Sequence, residues 1–171
     1  MKTKEITKMA LVAAIMCILG PITIPIGPVP ISFTNLILYF SLYILGTKNT
    51  VISFIIYYLL GLVGLPVFSG FTGGFAKAVG PTGGYLVGFI FMIIIGGLFI
   101  SKFKNKIVHF VGMVFATFVA YAFGTVWYCY IAHSDLISAL LICVCPFIIG
   151  DLIKIILANV FGLKFADRIN N

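Results

Sequence analysis

Long apolar segments alternate along the chain with short stretches rich in glycine, proline or charge. The segments lack the apolar–polar alternation of a barrel strand; residues 90–95 and 137–149, for example, are almost continuously apolar. Such runs are typical of membrane-spanning helices. The pattern therefore predicts an all-α membrane protein with six transmembrane helices. They are expected at residues 6–20, 33–46, 50–64, 82–100, 107–132 and 137–162.

Residues that break helices mark the ends of these segments. Gly20 and Pro21 end the first one, because proline cannot continue a helix. Residues 46–49 predict a turn between the second and third helices, which are short for a bilayer that needs about 20 residues. Residues 65–81 are too rich in glycine and proline to span. Within the last segment, Pro146 predicts a kink.

The composition supports a lipid environment. Hydrophobic residues make up 62% of the chain and charged residues 9%, whereas an average soluble domain is about half apolar and a quarter charged. The net charge of +7 comes from basic residues in short clusters between apolar segments. This placement indicates membrane topology rather than nucleic-acid binding. We expect residues 1–171 to form a single integral membrane domain.

The distribution of basic residues predicts the orientation in the membrane. With a cytoplasmic N-terminus, nine basic residues lie on the inner side and one, Lys77, on the outer side. Six spans then place the C-terminus in the cytoplasm as well, and residues 21–32 and 65–81 outside. The nine inner residues are Lys2, Lys4, Lys8, Lys48, Lys102, Lys104, Lys106, Lys164 and Arg168.

Asp151 and Lys154 are the ionisable residues that lie well inside a predicted span. Three residues apart, they project from nearly the same face of a helix. Lys154 lies about 15 Å from the inner interface at ~1.5 Å per residue, too deep for its side chain to reach water there. One interpretation is an ion pair that holds helices together. The other is a polar anchor for a buried ligand, as intramembrane charges often are.

The sequence GPTGGY at residues 80–85 is a second candidate. Gly83 and Gly84 would let backbone amides approach a ligand, and Tyr85 could stack on it. Alternatively, Gly84 and Gly88 form a small-residue face for helix packing. The glycines do not match the phosphate-binding pattern G-x-x-x-x-G-K-[ST], so no nucleotide site is predicted.

The sequence offers no pattern for a metal site or for catalysis. Asp151 has no second carboxylate in any predicted span and no histidine at a similar depth, so we expect no enzymatic activity. The cysteines lie inside apolar segments without the C-x-x-C spacing of a zinc or redox site, and no cofactor is expected. They are Cys17, Cys129, Cys143 and Cys145.

Four sequence blocks, in order from the first helix to the last, resemble the BioY family of biotin-specific S components of energy-coupling factor (ECF) transporters. The blocks are GPVPIS at 27–32, GLVGLPVF at 61–68, GPTGGY at 80–85 and GDLIK at 150–154. The sequence departs from the family at Thr34 and Asn35, where Gln-Thr is more common, and at Ile149, where proline is common.

The resemblance implies a plasma-membrane subunit that binds biotin with high affinity, in a pocket opening outward beneath a lid from the loop after the first helix. Its expected partners are a transmembrane coupling (T) subunit, which docks on Ala10 and Ala14 of the first helix, and two cytoplasmic ATPases. Spacing alone leaves ordinary internal packing equally open for this alanine pair. An S component for a different vitamin is the alternative. The expected substrate-binding residues are Asp151, Lys154, Tyr85, Thr82, Gly83, Gly84, Phe68, Phe33, Thr34 and Asn35.

Overall fold

The computed structural model describes residues 3–26 and 29–170. Lys2 and two residues of the first sequence block, Gly27 and Pro28, lie outside the described residues. The described ranges form seven helices and one antiparallel pair of two-residue strands. The helices are α1 (Thr3–Leu19), α2 (Thr34–Leu62), α3 (Phe75–Val79), α4 (Gly83–Lys102), α5 (Lys106–Ala132), α6 (Leu136–Cys143) and α7 (Cys145–Asn170). The strands are β1 (Thr23–Ile24) and β2 (Ile31–Ser32).

Several helices have the length and composition of membrane spans. Among the described residues these are α2, α4, α5 and the part of α7 from Cys145 to Ala166, four in all. They support the prediction of a helical, multi-pass membrane protein. The number of six spans stays a prediction. The strand pair, which joins the two ends of the loop after α1, was not predicted.

Gly46 divides α2 into two helical segments, α2a (residues 34–45) and α2b (residues 47–62). Its φ of 73° and ψ of 173° are not helical, and a positive φ favours glycine because it has no Cβ. The predicted turn at residues 46–49 is too long, since residues 47–49 are already helical. Thr50 and Ser53 donate hydrogen bonds to the carbonyls of Gly46 and Asn49, one turn earlier.

Side-chain contacts give the directions of α2a and α7 relative to α5. In α2a, the Tyr39 hydroxyl lies 2.6 Å from the Thr117 hydroxyl of α5. The Tyr43 ring lies further along α2a and contacts His109, which lies earlier in α5. These two helices are therefore antiparallel. Helix α7 is also antiparallel to α5. Asp151 bonds to Tyr121, whereas Asn159, which lies later in α7, donates to the backbone carbonyl of Lys106 at the start of α5.

Helix α4 packs against α5 through glycines. A Cβ atom on Gly84 would overlap Trp127, and one on Gly88 would lie 3.0 Å from the Ala120 carbonyl oxygen. Of the two interpretations of Gly84 and Gly88, the structure therefore supports helix packing. Across these contacts, residue numbers rise along α4 while they fall along α5, so the two helices are antiparallel.

The chain reverses direction at Gly46. Thr47, at the start of α2b, packs against Gly97 near the end of α4. Further along α2b, the Phe54 ring lies 6.1 Å from that of Phe89, which is earlier in α4. Segment α2b is thus antiparallel to α4, whereas α2a is antiparallel to α5. Since α4 and α5 are themselves antiparallel, α2a and α2b must run in opposite directions, as two separate spans would.

The last apolar segment, predicted as one helix at 137–162, is broken at Val144. Asp135 caps the N-terminus of helix α6, and its side chain accepts a hydrogen bond from the Ser138 N–H; this bond lowers the pKa of the Asp135 carboxyl. It ends at Cys143, and α7 begins at Cys145. Pro146 therefore lies in the first turn of a new helix, where its missing N–H is not needed. The predicted proline kink is in fact a helix start.

These directions separate the molecule into two ends. At one end lie the loop after α1, the residues between α2 and α4, the connection between α5 and α6, and the start of α2a. The Gly70 N–H donates to the Pro21 carbonyl, and this bond joins the two loops. The Tyr57 hydroxyl donates to the Val67 carbonyl, and this bond holds the second loop to α2b. We call this the loop end. The opposite, basic end contains Lys48, Lys102, Lys104, Lys106 and Lys164.

Candidate functional site

The centre of the site is an ion pair on α7, close to the loop end. The Lys154 Nζ lies 2.9 Å from the Asp151 Oδ1. Both residues are buried, with only 5% of Asp151 and 8% of Lys154 exposed. The helix brings the two side chains to one face because residues three apart are neighbours on its surface. The predicted burial and pairing of these charges are confirmed.

Residues at the junction of β2 and α2a complete the surroundings of the pair. The Asn35 Nδ2 donates to the Asp151 Oδ1 at 2.7 Å, and the Asn35 Oδ1 accepts from the Lys154 Nζ at 2.9 Å. The Lys154 Nζ also donates to the Ser32 carbonyl oxygen at 2.9 Å. Asn35 thus bonds to both charges with the two ends of one amide group.

Tyr121 reaches the pair from α5. Its hydroxyl donates to the Asp151 Oδ2 at 2.6 Å, a short bond of the kind typical for an ionised acceptor. Close by, the Thr117 hydroxyl donates to the Met113 carbonyl, so it accepts from the hydroxyl of Tyr39. Polar groups from α2a, α5 and α7 therefore meet between the three helices.

The hydrogen-bonding capacity of the pair is almost fully used. An ammonium has three N–H donors, and those of Lys154 go to Ser32, Asn35 and Asp151. The Asp151 Oδ1 accepts two bonds, which fill its two lone pairs. Among the described residues, the remaining capacity of the pair is one lone pair on the Asp151 Oδ2. A ligand can use this lone pair directly and any other group only by replacing a bond.

A cavity lies directly against this network. It encloses about 700 Å³ of empty space, which includes the part that opens to the surroundings. Its polar lining comes from the pair, Asn35 and several hydroxyls, and its apolar lining includes the aromatic rings of Phe89 and Phe147. Val29, Pro30 and Ser32 close it on the side of the loop after α1, where the resemblance predicts a lid. An apolar pocket with a few convergent polar groups is the usual form of a small-molecule site.

Six of the predicted substrate-binding residues line this cavity. They are Thr34, Asn35, Thr82, Tyr85, Asp151 and Lys154. The Tyr85 hydroxyl lies 3.2 Å from the Thr125 hydroxyl, so its ring is held against α5. Whether these residues bind a ligand stays a prediction.

The structure places the other four outside the cavity lining, in packing positions. The Phe68 ring packs edge-to-face on Tyr57 with centroids 5.8 Å apart. A Cβ on Gly83 would overlap the Ala78 carbonyl, and Gly84 packs on Trp127 as described above. Phe33 precedes α2 and is 37% exposed. A resemblance at the level of sequence blocks does not separate such packing residues from those that face the cavity.

Sequence reasoning missed Thr117 and Tyr121, although a signal for both was present. Together with Thr125 they form a polar row at every fourth position of an otherwise apolar helix. Such a row faces the interior of a helix bundle rather than lipid. Ser32 was missed for a different reason: Lys154 bonds to its backbone carbonyl, which a sequence cannot mark.

The described residues contain no group of three or more His, Cys, Asp and Glu side chains that could hold a metal ion.

Comparison with known proteins gives a consistent result. The BioY family profile matches residues 1–171. Biotin transporter BioY2 of Lactococcus lactis subsp. cremoris is 37% identical, over 99% of this chain and 94% of its own length. Biotin transporter BioY of Thermotoga maritima is 34% identical, over 94% and 95%. A crystal structure of the S-component for biotin from an ECF-type ABC transporter superposes with a TM-score of 0.88 at 31% identity, covering 98% of this chain and 95% of that one.

The Asp151–Lys154 pair and the groups that bond to it form what we call the closed network. This network predicts how the free energy of unfolding responds to loss of Lys154. Lys154→Met leaves the Asp151 carboxylate buried without a cation, so we expect a loss of about 3–5 kcal/mol. Thermal unfolding in detergent, without ligand, should show a clear fall in the midpoint. The matched control Lys164→Met, at an exposed position of the same helix, should leave the midpoint unchanged.

The double variant Asp151→Asn with Lys154→Met should recover most of the loss, because no unpaired charge remains. A single Lys154→Met variant that unfolds at the same temperature as the parent protein would contradict the closed network.

Proposed function

The chain belongs to the BioY family, and we propose that it is the biotin-binding S component of an ECF-type transporter in the cell membrane. The observation that supports this most directly is the cavity with Asp151, Asn35 and Lys154 at its polar end and aromatic rings in its walls. The ureido ring of biotin offers two N–H donors and one carbonyl acceptor, which complement a carboxylate beside an amide and an ammonium. Its thiophane ring and aliphatic chain suit the apolar walls.

In this proposal Asp151 accepts the ureido N–H groups and Lys154 offsets its charge and donates to the ligand. The free lone pair on the Asp151 Oδ2 is available to the first N–H. A bond to Lys154 requires it to give up one of its three present acceptors. Ser32 is the most readily exchanged of these, because its carbonyl belongs to a two-residue strand, whereas Asn35 and Asp151 belong to long helices. Binding would then alter the contact between the loop after α1 and α7.

An S component for a different vitamin is the alternative within the same class. It would use the same fold and the same lid, but the polar end of its cavity would match a different set of donors and acceptors. Titration of the purified protein with biotin and with a panel of other vitamins by calorimetry distinguishes the two proposals. Tight binding of another vitamin without binding of biotin would exclude the first.

The most direct test of the ligand site is Asp151→Asn. It keeps the shape but replaces an ionised acceptor with a neutral amide, and a hydrogen bond to a charged group is worth roughly 1.5–3 kcal/mol. The biotin affinity should fall about ten- to a hundredfold in calorimetry. The control Asp135→Asn, at an exposed carboxylate whose N-capping role asparagine retains, should bind biotin as the parent does.

The double variant Asp151→Asn with Lys154→Met should fold and fail to bind biotin. Normal biotin affinity in this folded double variant would exclude the site.

We also propose that both termini and the basic end face the cytoplasm and that the cavity opens outward. The support is the positive-inside bias, since Lys48, Lys102, Lys104, Lys106 and Lys164 lie at one end of the bundle and Lys77 belongs to the loop end.

The orientation predicts which sites an impermeant thiol reagent can reach. In a variant whose four native cysteines are replaced, cysteines introduced at Thr3 or at Asn170 should react only after the cells are permeabilised. A cysteine introduced at Phe75, which is 69% exposed at the loop end, should react in intact cells. The reverse pattern would contradict the orientation.

Ala10 and Ala14 are proposed to dock on the T subunit of the transporter, which works with two ATPase subunits. Both alanines are exposed on α1, whereas Met9, Ala13 and Met16 on its other face are buried. The exposed positions favour a docking face over internal packing, and small side chains there let a second helix approach closely.

The docking face predicts that assembly and binding can be separated. Replacing Ala10 and Ala14 together with leucine should abolish assembly with the T subunit in co-purification and stop biotin uptake. Biotin binding to the isolated protein should survive, because this face does not line the cavity. The control Ala122→Leu, at an exposed position of α5, should assemble normally. A double variant that assembles and transports normally would show that the alanines do not form the interface.

A further inference from the structure

A second space lies between α5 and α7, behind the wall of the ligand cavity. It encloses about 500 Å³ of empty space, including the part that opens at the surface. From α5 it is lined by Val114, Phe118 and Tyr121, and from α7 by Ile148, Leu152 and Ile155. We call this space the α5–α7 crevice.

The crevice shares Thr117, Tyr121 and Asp151 with the ligand cavity. The lining of the crevice is nevertheless apolar. The polar atoms of these side chains therefore point to the other side, where Tyr121 bonds to Asp151 and Thr117 to Tyr39. One layer of side chains separates the crevice from the ligand cavity.

The position of the crevice along its helices indicates what surrounds its mouth. Residues 114–121 lie about 12–23 Å along α5 from its first residue, Lys106, at ~1.5 Å per residue. Both α5 and α7 have the length and composition of membrane spans, and a hydrocarbon core is about 30 Å thick. The crevice is therefore at the depth of the lipid tails. Phe118 at its edge is 51% exposed, so the crevice is open on the lipid side.

We propose that the α5–α7 crevice binds an acyl chain of a membrane lipid. Water is a poor occupant, because it requires two to four polar partners and the crevice offers apolar atoms. An empty crevice would lose the dispersion contacts of its lining. A hydrocarbon chain from the adjacent leaflet supplies those contacts without leaving its own medium. The chain packs against the back of the Tyr121 ring and so supports the wall on which the Asp151 network depends. This proposal does not depend on which ligand the cavity binds.

Photolabelling of the full-length protein in vesicles tests the proposal. The probe is phosphatidylglycerol with a diazirine halfway along one acyl chain, and labelled residues are mapped by mass spectrometry. Surrounding lipid labels exposed residues such as Val111 and Ile153 in any case. A chain inside the crevice should also label Ile148, a half-buried residue that lines the crevice.

Two variants fill the crevice from opposite sides, and each has a matched control. Val114→Phe and Leu152→Phe add a ring to lining positions, whereas Val111→Phe and Ile153→Phe add the same ring to exposed neighbours. We expect labelling of Ile148 to fall at least fivefold in the first two and to stay within twofold of the parent in the controls. Fluorescence-detected size-exclusion chromatography in detergent verifies that each variant is folded before labelling.

Two results would overturn the proposal: labelling of the parent protein confined to the exposed residues, or labelling of Ile148 that persists in folded filling variants. Both results concern lipid alone, so they remain informative if the cavity binds a ligand other than biotin.

Discussion

The buried ion pair between Asp151 and Lys154 connects three parts of the chain. A charge at the centre of a membrane costs about 2.5–3.5 kcal/mol on insertion scales, and a buried pair is tolerated only when hydrogen bonds satisfy its remaining donors and acceptors. Asn35, Ser32 and Tyr121 supply those bonds. The start of α2a, the end of β2 and the middle of α5 are therefore held around α7 by the same requirement.

Among the described residues of the loop after α1 and its strands, Ser32 of β2 bonds directly to Lys154. Ser32 accepts from Lys154 through its carbonyl, and its hydroxyl oxygen accepts from the Thr34 N–H at 3.3 Å. Val29 and Pro30, earlier in the same loop, line the cavity. The buried ammonium of Lys154 thus pairs with Asp151 and also positions the loop that covers the cavity. On the opposite wall of the cavity, glycines let α4 approach α5 closely, and this packing holds the wall in place.

Sequence reasoning predicted the helices more accurately than the breaks and turns between them. Apolar runs and Gly20-Pro21 indicate spans because hydrocarbon excludes an unpaired backbone, and the depth of Asp151 and Lys154 indicates a buried site. The break at Val144 was missed because Cys-Val-Cys is as apolar as its surroundings. The turn at residues 46–49 was predicted, but the structure confines it to the one non-helical residue, Gly46. Partners of the pair that act through a backbone carbonyl, as Ser32 does, leave no residue type to find. Phe68 and Gly83 show the opposite error. They were predicted to bind the ligand because they belong to recognisable sequence blocks, but they occupy packing positions.

The hydrogen bonds already made by the Asp151–Lys154 pair restrict which ligands the proposed site can bind. A binding site with many free donors would accept any polar molecule, whereas here nearly every donor and acceptor near Asp151 is already paired. In the proposed binding mode, a ligand must replace what it displaces: its acceptor takes the place of the Ser32 carbonyl on Lys154, and its donor bonds to the open lone pair of the Asp151 carboxylate. A molecule that offers only one of the two leaves a buried group unpaired, at a cost of about 1–3 kcal/mol. Because Ser32 adjoins the loop over the cavity, the proposed exchange would couple selection of the ligand to release of that loop. Both would follow from one lysine that has three donors and, with the ligand bound, four possible acceptors.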